Sequence, residues 1–234
     1  MRKESFVVDD FVHVLRRGTR SLPIVHDNRD KQRFLKLLYY FNDTYTPQYW
    51  EQEITTNGHN DPPVFYRPSK WKEREPLVMV VSYCLIPNHF HLLLKEIIEG
   101  GISLFMQKIG NSMVGHYNQK YRAVGSLFQG SYKGKRIDSD EYLRYVAVYI
   151  MVKNSLEMYP GGIKKAYREF DKAFEWAEKN PYTSLGHYTG VLKTNIIEAN
   201  LLGEIFENRR ELKEFSKDVI CGRLEKEFDN LHLE

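Results

Sequence analysis

Apolar positions recur along the first two thirds of the chain with two different periods, and the changes of period mark the elements. Residues 6–25 are rich in β-branched and aromatic side chains, with "TRS" interrupting "FVVDDFVHVLRRG" and "LPIV", and read as a strand pair. The spacing then becomes helical: Phe34, Leu35, Leu37, Leu38 and Phe41 share a stripe, and Asp27 or Asn28 is the candidate N-cap. Residues 43–75 hold "TPQ", "NGHN" and "DPP" and predict a long loop or insertion. The unbroken run Leu77–Ile86 has strand length and predicts a central strand buried on both faces. Pro87-Asn88 makes a tight turn, and "HFHLLLKE" returns as its antiparallel partner.

A helix is predicted over roughly 102–121, loop plus strand over "GSLFQGSYKGKRID", and a capped amphipathic helix over "SDEYLRYVAVYIMVKN", starting at Ser139 or Asp140. "YPGG" at 159–162 closes this unit. Short helices and loops follow, among them "KKAYREFDKAFEWAEKN", an amphipathic helix with Phe170, Phe174 and Trp176 on its packed side. Short turns between mixed elements imply an α+β fold: an antiparallel sheet with helices packed on it, residues 1–160, plus a mostly helical C-terminal extension, residues 161–234.

Composition places the chain among soluble globular proteins, with 42% apolar and 28% charged residues in 234. The Leu77–Ile86 run is about half the roughly 20 residues of a membrane span. Arg2 and Lys3 are followed by Glu4, Asp9 and Asp10 rather than an apolar segment, so no signal peptide is expected. Cys84 and Cys221 are the only cysteines, which fits a cytoplasmic protein without a disulfide framework.

Net charge is only +3, but it is unevenly spread. Gly101–Ile137 contains no Asp or Glu, while Lys108, Lys120, Arg122, Lys133, Lys135 and Arg136 are basic and aromatic residues are interleaved. Such a block suits a surface that follows phosphates and stacks bases, or simply a solvated basic face. From Leu156 onward, 15 acidic residues stand against 12 basic ones.

Chemistry enters with "PNHFHLLL". On a strand, residues i and i+2 share a face, so His89 and His91 point together. The bare pair is more often two half-buried strand histidines than two ligands of a metal such as zinc, copper or manganese. Neither C-x-x-C nor H-E-x-x-H is present to favour zinc, and a third ligand is needed.

Four segments in order, Arg17-Gly18 after the first strand, "IPNHFHLLL", "GSLFQGSYK" and "YLRYVAVYI", resemble the REP-associated tyrosine transposases and their single-tyrosine relatives among the HUH nucleases. The resemblance covers residues 6–160. It implies a ferredoxin-like core, Mg²⁺ or Mn²⁺ held by His89, His91 and a third polar group, and a helical tyrosine nucleophile. The family's "RYIHLNPV" matches "VYIMVKNSL", which places the nucleophile at Tyr149, with Tyr142 and Tyr145 on the same face. The family's polar metal ligand one helical turn later meets Lys153 here. Either the helix ends or bulges so that Asn154 reaches the metal, or Lys153 contacts DNA phosphate; Ser155 stands where the family has proline.

The implied activity is metal-dependent cleavage and joining of single-stranded DNA beside hairpins, through a 5′-phosphotyrosine and a free 3′-hydroxyl, by a monomer or homodimer. Arg16, Arg17, Arg122, Lys133, Lys135, Arg136 and Lys153 are the candidate phosphate contacts. Tyr121, Tyr132 and Phe128 are candidates for base stacking, Phe128 equally for the core. The alternatives are a domesticated DNA-binding protein that no longer cuts, a metal-dependent hydrolase of small phosphoesters, and a relaxase-type nuclease. The second leaves the basic block without a purpose; the third lacks its usual helicase domain and further histidines.

Overall fold

The computed structural model describes residues 6–55, 64–197, 203, 205–220 and 222. Strands β1 (Phe11–Arg17), β2 (Val78–Ile86), β3 (His89–Glu96) and β4 (Lys133–Ile137) form one antiparallel sheet in the order β2-β3-β1-β4. The α+β class expected from the periodicity is therefore observed. Helices α1 (Asn28–Tyr40), α2 (Trp50–Thr55) and α3 (Gly101–Tyr121) precede β4. After it come α4 (Asp140–Val148), a π-helical turn (Tyr149–Lys153), α5 (Asn154–Leu156), α6 (Ile163–Arg168), α7 (Phe170–Ala177), α8 (Leu185–Tyr188) and α9 (Arg209–Ile220).

The period-2 alternation of the strands sorts side chains into two cores. On one face Val12, Val14, Phe90, Leu92 and Leu94 pack with Phe34 and Leu38 of α1 and Phe105 and Ile109 of α3. On the other, Val81, Leu93 and Ile137 pack with Val146, Ile150 and Val152 of the α4–π segment, and with Phe174 and Val219. The C-terminal helices thus share a core with the sheet. Asp27 accepts from the Asp30 amide at 3.0 Å and Ser139 from the Tyr142 amide at 3.2 Å, each an N-cap contributing about 1 kcal/mol.

Several expectations need correcting. Residues 19–25 are not a second strand. Arg20 and Ser21 adopt left-handed backbone (φ 55° and 58°), and the chain then runs past the β2–β3 turn, where the Ile24 amide donates to the Pro87 carbonyl at 2.7 Å. Their turn redirects the chain, so β1 pairs with β3 and β4 instead. The apolar run β2 lies at the sheet edge rather than its centre. Its free edge is covered by residues 182–184: the Leu85 amide donates to the Tyr182 carbonyl at 2.9 Å and the Ser184 amide to the Tyr83 carbonyl at 3.0 Å. Helices on both faces plus this cover give an edge strand the all-apolar pattern of a central one.

The 43–75 segment contains α2, whose Trp50 is buried against the first core; residues 56–63 lie outside the described residues. The helix expected over 164–180 breaks at Glu169 (φ −113°, ψ 40°), with Phe170 and Phe174 buried on its second part. Phe128 is a core residue packed on Phe90, so it is not available to stack on bases. Cys84 is buried and free, and Cys221 lies outside the described residues. No helix among the described residues is long and apolar enough to cross a membrane.

Candidate active site

Register decides which side chains meet. Directly paired residues of antiparallel strands project from the same face. Leu15 stands opposite His91, Arg17 opposite His89 and His13 opposite Leu93 on one side of β3; Cys84 and Ile86 stand opposite His91 and His89 on the other. Lys133 and Lys135 pair with Leu15 and His13. One sheet face therefore carries His13, His89, His91, Arg17, Lys133 and Lys135, and it is the face that the α4–π segment covers.

Each of the expected histidines has one ring nitrogen held. His89 Nδ1 lies 2.7 Å from Asn88 Oδ1, while Asn88 Nδ2 donates to the Ser21 carbonyl at 3.2 Å, which fixes the amide's orientation. A carboxamide oxygen only accepts, so His89 carries a proton on Nδ1, and the neutral ring has its lone pair on Nε2. His91 Nδ1 lies 2.9 Å from His13 Nε2, and His91 Nε2 is buried without a hydrogen-bond partner. The His89 and His91 rings are 5.0 Å apart. Burial, then His13, His89, Lys153 and Arg17, hold the His91 pKa well below the usual imidazole value. It is thus neutral at physiological pH, the form that binds metal.

Ser139 caps α4, whose Tyr142 and Tyr145 stack in series with Tyr149 of the π-turn, with successive ring centroids 6.2 and 6.3 Å apart. The Tyr149 ring stands edge-on to His91 at 5.7 Å and to His13 at 6.0 Å. Tyr142 lies further along the series, its phenol pushed up to about 12 by burial and by Asp138.

At Tyr149 the helix widens. The Asn154 amide donates to the Tyr149 carbonyl, an i to i+5 bond, so Asn154 takes the hydrogen-bonded place that Lys153 would hold in an α-helix. No Pro or Gly forces this. Within this turn the Thr183 hydroxyl donates to the Met151 carbonyl at 2.9 Å. Asn154 is 1% exposed, and both its Oδ1 and Nδ2 are without partners. Buried amides are normally satisfied, and leaving one bare costs about 1–3 kcal/mol. Lys153 lies with Nζ 4.8 Å above the Tyr149 ring and pairs with Glu157 at 2.8 Å.

The remaining candidates divide by face. Arg17, Lys133, Lys135 and Lys153 lie on the histidine side. Arg16 lies on the other face, with its guanidinium 4.1 Å over the Phe128 ring and a bond to the Met106 carbonyl at 3.3 Å. Arg136 pairs with Val12 on that same face, and Arg122 ends α3 in the opposite layer. Tyr121 donates to Asp30 and Tyr132 packs on the first core. The acid-free block is thus not one surface.

His13 went unnoticed in the sequence. The alternation in "FVHVLRR" places it on the face of Arg17, but only the β1–β3 register brings it to His91.

Among the described residues no group of three His, Cys, Asp or Glu side chains is arranged to hold a metal ion. A third ligand of the kind the resemblance implies would have to be of another type, and the buried, unpartnered Asn154 amide has the chemistry for it.

No family model and no curated protein matches the chain. One solved structure to which it is similar is described as a REP-associated tyrosine transposase bound to a REP hairpin. The match has a TM-score of 0.49 and 9% identity, over 85% of this chain and 96% of that one. At this level of likeness the functional reading rests on the side chains.

Proposed function

We propose that the chain is a metal-dependent single-stranded DNA nuclease and strand transferase in which Tyr149 is the nucleophile. The observation that carries this reading is the packing of the Tyr149 ring against His91 with the unpartnered Asn154 amide one π-turn further on. The β-α-β-β-α-β order of the core elements supports a ferredoxin-like, HUH-type reading of the fold.

In this reading His89 Nε2, His91 Nε2 and Asn154 Oδ1 hold Mg²⁺ or Mn²⁺. When bound, the ion polarises and neutralises the phosphoryl oxygens of the scissile bond. Tyr149 Oη attacks phosphorus and gives up its proton; the P–O3′ bond breaks and the leaving 3′-oxygen takes a proton. The product is a 5′-phosphotyrosine and a free 3′-hydroxyl. Attack of another 3′-hydroxyl on the same phosphorus reverses the chemistry and joins a new strand, so the phosphodiester energy is conserved and no nucleotide cofactor is required.

The chain's cations do the positioning. Arg17, Lys133 and Lys135 lie on the same sheet face as the histidines and line the approach with positive charge. Tyr149 is only 4% exposed and Lys153 lies over it, so Lys153 must swing off the ring as the strand enters. Its ammonium is then placed to pair with the incoming phosphate.

The test is cleavage of labelled hairpin-bearing single strands with Mn²⁺. Wild type should cut, chelation should stop it, and His89→Ala and His91→Ala should lose at least 100-fold. The second reading, a DNA-binding protein that does not cut, is favoured by the near-burial of Tyr149 beneath Lys153. Tight, metal-independent binding without cleavage would establish it.

A further inference from the structure

We propose that His13 is a positioning residue that sets the tautomer of His91. The inference rests on the reading of His91 as a metal ligand and adds a residue to it.

His13 projects from β1 beside the β3 pair, diagonal to His91 across the register that sets Leu15 against His91. Both imidazoles are buried, their rings are stacked with centroids 5.1 Å apart, and His13 Nε2 lies 2.9 Å from His91 Nδ1. A single proton occupies that bond. If His13 supplied it, the neutral His91 ring would carry its own proton on Nε2. With its proton on Nε2, His91 could not bind a cation through that nitrogen. If His91 supplies it, His91 Nε2 is a bare lone pair directed into the site.

The neighbouring ligand shows the same arrangement. Asn88 Oδ1, with its amide oriented by Ser21, accepts from His89 Nδ1. The two histidines are thus held alike, each by an acceptor on Nδ1, one a carboxamide and the other an imidazole. Outer partners of this kind orient ligand rings and raise their basicity.

Two measurements test the assignment. In metal-free wild type, imidazole ¹⁵N NMR should find His91 protonated on Nδ1 with a pyridine-type Nε2; an Nε2-protonated His91 would overturn it. Mn²⁺ titration without DNA should show His13→Leu weakened about 10–100-fold, with His13→Gln, which keeps an acceptor oxygen, within a few-fold of wild type. Wild-type affinity in His13→Leu, or equal losses in both variants, would also overturn it. His91→Ala binding Mn²⁺ as wild type does would remove the metal site itself, and the role of His13 with it. That outcome is distinguishable because it appears in His91→Ala whatever the His13 variants do.

Discussion

The Tyr149 ring meets the His91 imidazole edge-on at 5.7 Å, joining the helical layer to the sheet. His91 Nε2 and both polar atoms of the Asn154 side chain are buried without partners, although the surrounding core is well packed. Orphaned polar atoms lower stability, so these are candidates for groups kept for a ligand rather than for the fold.

Asn154→Leu tests that statement through stability. Replacing an unsatisfied buried amide with an apolar group of similar size should leave the metal-free protein equally stable, or about 1–2 kcal/mol more so, in urea unfolding. The same variant should lose Mn²⁺ binding. A loss of stability beyond about 2 kcal/mol would mean that the amide is structurally satisfied.

The widened turn has its own test. Thr183→Val leaves the Met151 carbonyl without its hydroxyl donor and should cost about 1–3 kcal/mol. If that hydroxyl holds the π-turn, cleavage under folding conditions should fall as well, because Asn154 loses its register to Tyr149. Full activity in a destabilised Thr183→Val would separate the turn from the site.

The faces on which the candidate side chains lie were legible in the sequence because they depend on local periodicity. The i, i+2 spacing of His89 and His91 sets their common face on any strand, and the Ser139 cap fixes the phase of the tyrosines on α4. Non-local relationships were not legible. His13 joins the site only through the β1–β3 register, and the edge position of β2 was masked by the segment 182–184 that covers it. The π-turn was anticipated only as one way of reconciling Lys153 with Asn154; the hydroxyl that meets it, from residue 183, is remote in sequence. The basic block looked like one surface because composition does not record which face a residue takes.

That division by face predicts DNA binding. Lys133→Ala and Lys135→Ala should each weaken single-strand binding and reduce the salt-dependence slope by about 0.7. Arg16→Ala and Arg136→Ala, on the opposite face, should leave the slope unchanged. Equal effects from both sets, in fluorescence anisotropy across a salt series, would place the strand elsewhere.

Acid should destabilise the protein through buried histidines. Burial pulls His187 down to about 4 from the ordinary value near 6.5. As the pH falls below about 6.5 the unfolded chain takes up this proton first, so stability is full above that value and is lost toward pH 4, by at most about 3 kcal/mol. His91 contributes with the same sign. His187→Gln should therefore show a smaller drop in urea midpoint between pH 7 and 4.5 than wild type; an identical drop would contradict the assignment.

The central claim is that Tyr149 forms the covalent bond. The most direct measurement is capture of a protein–DNA adduct on a denaturing gel, with Mn²⁺ and a labelled single-stranded hairpin oligonucleotide. Wild type and Tyr145→Phe should form the adduct, and Tyr149→Phe should form none. An adduct that persists in Tyr149→Phe would contradict the account.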